Sequence, residues 1–430
     1  MLENEHPSDK NLLYSVNKVF LFLILLYLPV SELFIHTLES YTSYPDKTIF
    51  WFSHFYEPVV VLLIVSNFII ALFKKKLAFT SVDIVAVAFL LWTLVCVFIH
   101  PSEMQRGLES LRFTALPFIF YLFARLSNCA NAKKIALFYV GVAGLISTVG
   151  VVEYFFLPAN WLTSYFGISN FGFGQNALVS TNQASSFLAG PNQLASYLIF
   201  PLFYALHRAV ISKKLFKNWS TYFIVPITLA LILTFSRSAI LGTALGVIIF
   251  FITLPKESRP KIPAMILFFA VAFAFVVSYV MYFGGTITDL LTHGASSVQH
   301  ASSTEMATKT ALGSNASGLI LGRGIGTAGP AALKFGGYMP ENYYLQILFE
   351  TGIIGLLLFA GFFVFALKKF FRGSKVLFAV IVALLVNAFF LHIFSDNPAM
   401  AVSVFILMAV AISTELKTKA VGYSVRLTKN

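Results

Sequence analysis

Charge is what this sequence has least of. Only 11% of its 430 residues are Asp, Glu, Lys or Arg, against about 25% in soluble globular domains. So small a charged fraction excludes a water-facing surface over most of the chain. Cysteine is almost absent: Cys96 and Cys129 lie in or beside apolar segments and imply no disulfide framework. The eight His are scattered, and no Cys/His cluster has zinc-ligand spacing. The Gly-rich stretch GRGIG at 322–326 lacks a following Gly-Lys-Ser/Thr and is not a P-loop. No small-residue cleavage pattern follows the first apolar run, which therefore reads as a first helix and not as a cleaved signal peptide. No internal repeat and no separate soluble domain is visible. Metal and other cofactors are not expected.

What is present in excess is apolar. Hydrophobic residues make up 58% of the chain, 47 of them Phe, and the mean hydropathy is +0.82. A helix crossing a bilayer needs roughly 20 such residues, with a range of about 17–25. Runs of this kind are read at 19–36, 58–73, 82–99, 113–126, 135–157, 194–206, 222–235, 239–254, 262–283, 344–367, 376–393 and 399–412. The shorter ones borrow a few flanking residues. The expected fold is all-α: one polytopic transmembrane domain over 1–430, with about twelve transmembrane helices.

The net charge of +12 could suggest nucleic-acid binding, but membrane topology explains it better. With both termini inside and loops assigned alternately, 23 of the 30 Lys and Arg fall inside and seven outside. Every inside loop is basic, as the positive-inside rule requires. A missed or extra span would invert half the loops and spoil the division. Three outside segments are long, near 36–57, 158–193 and 284–342. Long connections are usually functional, so the chemistry is expected outside, above all around the large loop 284–342.

The seven outside cations can be weighed singly. Arg237 sits in Thr-Phe-Ser-Arg-Ser-Ala between two spans with almost no connection. A guanidinium there, flanked by Ser236 and Ser238, can grip an anion through bidentate hydrogen bonds; the competing reading is an interfacial anchor. Arg106 and Arg112 precede the fourth span, where Arg112 could join Arg237 or merely end a helix. Arg323 lies between Gly322 and Gly324, which would let backbone N–H groups approach a phosphate, or form a plain turn.

The sharpest element is 340–346, Pro-Glu-Asn-Tyr-Tyr-Leu-Gln, opening the tenth span. Glu341 falls in the first turn, where a carboxylate suits the helix dipole and where a general base could meet an incoming hydroxyl. Asn342, Gln346 and Glu350 follow at i, i+4 and i+8 and share one helix face. Glu350 lies within the span, where an acid needs a partner or a cavity. His392, Asp396 and Asn192 can reach the same outside face, each with a loop or cap role as the alternative.

Four stretches, AGPNQLASYL (189–198), TFSRSAILG (234–242), LILGRGIGTAG (319–329) and ENYYLQILFETGIIGLLLF (341–359), resemble in this order the bacterial O-antigen ligase and polysaccharide polymerase superfamily. The resemblance implies a GT-C-like, metal-independent, inverting glycosyltransferase of the bacterial cytoplasmic membrane. It would move a glycan from an undecaprenyl-diphosphate carrier to an acceptor on the outer face. By this resemblance Arg237 binds the diphosphate and Glu341 is the base. Arg112, Arg323, Lys309, Asn342, Tyr344 and Asn192 would contact substrate. Family ligases typically carry His where Glu341 stands, and an Arg before the Gly-rich stretch, where residues 302–309 offer only Lys309. Both departures favour a polymerase, acting on another carrier-linked unit, over a ligase acting on lipid A-core. A secondary transporter is the alternative of another class. Its midplane charges, broken helices and paired half-repeats are not evident in the sequence.

The orientation is directly testable. Cysteines introduced at positions 300 and 165 should react with an impermeant thiol reagent on intact cells. Cysteines near Lys214 and Lys369 should react only after permeabilisation. Labelling near Lys214 on intact cells would overturn the orientation.

Overall fold

In hydrocarbon every backbone N–H and C=O must be satisfied within the protein, which leaves the helix as the natural solution for this composition. The computed structural model describes residues 12–41, 48–49, 53–73, 78–100, 103–127, 131–158, 161, 183–212, 218–255, 316–330, 332–335 and 339–427. Helix α1 (Leu12–Tyr27) runs through a 3-10 turn (Leu28–Val30) into α2 (Ser31–Tyr41). There follow α3 (Tyr56–Phe73), α4 (Ser81–Ile99), α5 (Met104–Ser127), α6 (Ala132–Phe156), α7 (Pro191–Ser212), α8 (Ile224–Leu233) and α9 (Arg237–Thr253). After a short α10 (Ala316–Leu321) come α11 (Tyr343–Arg372), α12 (Lys375–Asn387), the four-residue α13 (Ile393–Asp396) and α14 (Pro398–Leu427).

Eight of these segments, counting α1–α2 as one, are long and apolar enough to cross a membrane. Three shorter apolar helices, Trp219–Leu233, Arg237–Thr253 and Lys375–Asn387, join them. The expected spans that fall among the described residues are helical over most of their length, except that the helix of 376–393 ends at Asn387 and gives way to a turn over 388–392. The expected span 262–283 lies outside them, as do most of the expected loop 284–342 and Lys309. The protein is a multi-pass helical membrane protein.

The end where α9 and α11 begin is termed the upper end, and the end where α5 and α11 finish the lower. Helix α14 is central, with 78% of its span buried, and α3 is peripheral, with 22%. Exposed Val61, Leu62, Val65, Phe68 and Ile69 on α3 would be a liability in water, but here they face lipid. Lipid tails are as apolar as Leu, so helices associate through close packing of small residues. On α9, Gly242 and Gly246 form a small-xxx-small pair facing Ala379 and Ala383 of α12. A Cβ at 242 would lie 2.5 Å from the Ala383 carbonyl oxygen. One at 246 would lie 2.8 Å from both the Ala383 Cβ and the Phe203 ring.

The lower end is tied by one charged cluster. Asp83, in the first turn of α4, completes a capping box with Thr80. Its carboxylate also takes two 2.7 Å bonds from the Arg125 guanidinium of α5 and a third from the Tyr121 hydroxyl. Arg125 reaches on to the Ser413 hydroxyl of α14 at 2.7 Å. With Asp83 1% exposed, this two-pronged pair is saturated by its neighbours, the condition under which a buried ion pair persists.

Overpacking a close helix contact costs about 1–3 kcal/mol. Gly246→Leu should therefore lower the thermal unfolding temperature of the purified protein and split α9 from α12. Cysteines placed across that contact would then lose their crosslink. An unchanged crosslink and melting temperature would show that this contact does not hold the two helices together.

Candidate functional site

The turn between α8 and α9 is tight and strained. Phe235 has φ 51°, a left-handed conformation uncommon for a bulky residue. The turn is clamped by the Thr234 hydroxyl, which accepts from the Ser236 N–H at 3.2 Å. It is clamped also by the Ala184 N–H, which bonds the Leu233 carbonyl at 3.0 Å. The 184–186 segment is itself held by Glu153 of α6, whose carboxylate accepts the N–H groups of Ser186 at 2.6 Å and Ser185 at 3.1 Å. Ser236 occupies the N-cap of α9 but its side chain does not cap the helix. Its hydroxyl is buried without a hydrogen-bond partner. Arg237 follows, exposed, as the first residue of the helix. An uncapped helix start carries unsatisfied N–H groups and the positive end of the macrodipole. With a guanidinium on its first residue, it has the chemistry of an oxyanion site.

The mouth of α11 is built differently. Asn342 is its N-cap, accepting from the Leu345 N–H at 3.1 Å and donating to the Phe389 carbonyl at 2.9 Å. The Tyr343 N–H bonds the Ala388 carbonyl at 3.0 Å. The Tyr344 hydroxyl bonds the Leu385 carbonyl at 2.7 Å while its ring packs on Phe389. Asn342 and Tyr344, expected to contact substrate, thus dock α11 on the top of α12. Glu341 sits half-buried immediately before the cap. The shared face is as expected: Gln346 accepts from the Ser395 hydroxyl at 2.9 Å, and Glu350 follows one turn deeper.

Glu350 is 2% exposed. It accepts from the Thr114 hydroxyl of α5 at 2.9 Å and from the Gly326 N–H at 3.0 Å. Two residues on, α11 breaks at Gly352, with φ 66° and ψ −172°. The Arg323 N–H takes the Phe349 carbonyl at 2.7 Å, and the Trp92 indole takes that of Thr351 at 2.8 Å. The Gly-rich stretch is therefore a wedge driven into the break, not a free phosphate cradle. The N–H groups of Gly322, Arg323 and Gly326 all bond protein oxygens. The Arg323 guanidinium lies over the Phe349 ring, 5.5 Å from its centroid. No broken helix is evident in the sequence, whereas α11 is broken at Gly352. No residue type marks the break except a Gly among several Gly in an apolar run.

A cavity of about 650 Å³ opens at the upper end between α2, α3, α5 and the α13–α14 corner. Its polar lining includes Glu32, Glu57, Arg112, Gln193 and Asp396. Arg112 faces Glu57 at 3.8 Å and lies over the Phe113 ring. The Gln193 amide donates to both the backbone and the carboxylate oxygen of Asp396, each at 3.0 Å. Behind Asp396, His392 is 6% exposed, with Nε2 3.6 Å from the carboxylate and neither ring nitrogen hydrogen-bonded.

Of the expected site residues, Arg112 and Asp396 meet at this cavity, whose lining includes neither Arg237 nor Ser236. Arg112 has Glu57 as a partner. Asn192 is exposed beside Gln193, and it is Gln193 that reaches the cavity. Glu32 and Glu57 were missed. Glu32 carried a signal: an acid inside a predicted span, at a position where ionisable groups mark function. Glu57 read as an ordinary acid at a helix start.

Residues 222–360 match the family model described as O-antigen ligase. No curated protein matches the chain. The matched segment contains the Ser-Arg-Ser turn, the Gly-rich wedge and the mouth of α11, and leaves the stretch 189–198 outside it. In these elements the chain is similar to the O-antigen ligase family.

Proposed function

We propose that this protein is an inverting glycosyltransferase whose upper end faces the outside of the bacterial cytoplasmic membrane, with about twelve spans, a GT-C-like arrangement and both termini cytoplasmic. Its donor is a glycan on undecaprenyl diphosphate, and its acceptor is another carrier-linked glycan. Polymerisation is favoured over ligation to lipid A-core because Glu341 stands where ligases of the family place His, and because Lys309 is the single cation before the Gly-rich stretch.

The observation that carries this reading is the start of α9. An exposed Arg237, a buried Ser236 hydroxyl and an uncapped helix N-terminus converge at one turn, and that turn lies inside the segment matched to the O-antigen ligase family. A lipid diphosphate is already a good leaving group. Donors aimed at its oxygens stabilise the charge that grows as the glycosidic bond breaks. An attacking hydroxyl then needs a proton acceptor, and Glu341 at the mouth of α11 supplies a carboxylate there. One displacement inverts the anomeric centre. The transporter reading is weakened at its best feature, because two carbonyls at the break in α11, those of Phe349 and Thr351, are bonded by the Arg323 N–H and the Trp92 indole.

Arg237→Ala should abolish glycan transfer in proteoliposomes supplied with carrier-linked glycan, while the protein elutes as a folded species. Arg237→Lys should retain little activity, because an ammonium lacks the planar fork that grips two oxygens. Parental product from the Ala variant would reduce Arg237 to a boundary anchor.

Glu341→Gln should slow turnover by about 10²–10⁴-fold, the usual contribution of a general base, and leave carrier-lipid binding nearly intact. Loss of a helix-terminal charge alone costs only about 0.3–1 kcal/mol, too little to silence a folded enzyme. Polymer formed at the parental rate would assign Glu341 to the helix dipole and move the search for the base to Asp396 and His392.

A further inference from the structure

The cavity at the upper end is built for something other than a diphosphate. Three carboxylates line it, Glu32 from α2, Glu57 from α3 and Asp396 from α13, against one guanidinium, Arg112, which already faces Glu57 at 3.8 Å, and the imidazoles of His36 and His54, which add positive charge only when protonated. A lipid diphosphate brought here would meet more negative charge than positive. Phosphate recognition therefore belongs at the start of α9, and the cavity is left for an uncharged or cationic group.

We infer that this cavity binds the sugar end of the acceptor, a short neutral or amino-bearing oligosaccharide, and rejects uronate-containing glycans. The inference rests on the glycan-transfer reading and names the substrate class that reading leaves open. Three features carry it. The volume, about 650 Å³, falls in the range of about 300–1,000 Å³ typical of sites that enclose a small organic ligand. The carboxylates are acceptor-only groups on three different elements, suited to the several hydroxyl donors of a sugar ring. Between them Phe113, Leu116, Phe394 and Pro398 supply an apolar wall, against which the C–H faces of a pyranose can pack.

Asp396 is the best-positioned of the three. The Gln193 amide nitrogen donates at 3.0 Å to both the Asp396 backbone carbonyl and one of its carboxylate oxygens, so that oxygen is held before a ligand arrives. His392 lies behind it at 3.6 Å, 6% exposed and without a hydrogen bond to either ring nitrogen. A sugar hydroxyl donating to Asp396 would thus complete a polar chain that begins inside the protein, and hydrogen bonds to an ionised acceptor are the stronger kind.

The test is saturation-transfer NMR on the full-length protein in lipid nanodiscs, with three probes: the trisaccharides of N-acetylglucosamine, glucosamine and galacturonic acid. No lipid diphosphate is present, so the outcome is independent of phosphate binding at Arg237. Signal is expected for the first two probes and about tenfold less for the galacturonate, since a carboxylate would face like charge. The double variant Glu32→Gln/Asp396→Asn should lose most of the signal from the glucosamine probe. Glu32→Lys, which adds a cation to the cavity wall, should raise the galacturonate signal above that of glucosamine, a gain that a misfolded protein cannot produce. Equal signal for all three probes, strongest binding of galacturonate to the parental protein, or an unchanged preference in Glu32→Lys would each overturn the inference.

Discussion

A helix can break inside hydrocarbon only where other groups take up the carbonyls it frees, because no water is there to do so. The break in α11 at Gly352 meets that condition with the Arg323 N–H on the Phe349 carbonyl and the Trp92 indole on that of Thr351. The seating of the Gly-rich stretch against α11 depends on this arrangement. Gly322 must come within van der Waals reach of the α11 backbone, and a Cβ there would lie 2.5 Å from the Glu350 carbonyl oxygen. The positive φ of Gly322, Gly324 and Gly326 lets the chain turn back on itself in that space. Glu350 then locks the wedge to α5 through Thr114. An acid that could have been catalytic is thereby a structural keystone for the helix that presents Glu341 at its mouth.

The upper end is divided electrostatically. The start of α9 gathers positive character from Arg237 and the helix dipole, and the cavity between α2, α3, α5 and α13 gathers carboxylates. A lipid-linked glycan is itself divided in this way, with a doubly anionic diphosphate at one end and hydroxyl-rich sugars at the other. A transferase has to hold the first on the donor and the second on the acceptor. Under the proposed function, separate positive and negative sub-sites would serve that need without either competing for the other's ligand.

The remainder of the molecule is a frame with few polar contacts. Gly242 and Gly246 allow α9 to lie against α12, and α12 in turn carries the carbonyls of Leu385, Ala388 and Phe389 that seat α11. The two proposed catalytic helices are thus registered through a common neighbour. At the lower end Asp83 and Arg125 tie α4, α5 and α14 together, and α5 and α14 also line the cavity at their other ends.

Composition alone sets the solvent and the helical class. A charged fraction of 11% admits only a bilayer, and each apolar run needs its own length of helix to cross it. The sequence also marked Arg237, since a guanidinium in a nearly loopless turn is conspicuous when basic residues are otherwise confined to one side. The i, i+4, i+8 face of Asn342, Gln346 and Glu350 followed from helix periodicity alone. What each residue on that face does was left to tertiary structure. Asn342 and Tyr344 are sequence-local candidates whose partners, at 385–389, lie over forty positions away. The Gly-rich stretch and the break at Gly352 define each other, and neither pattern reads as a wedge without its counterpart. The cavity joins residues from 32 to 396; a carboxylate at a helix end looks the same in sequence whether it caps, pairs or lines a site. Periodicity and composition act along the chain and are legible there, whereas burial and charge pairing are set by which helices meet, and the packing of small residues in lipid decides that.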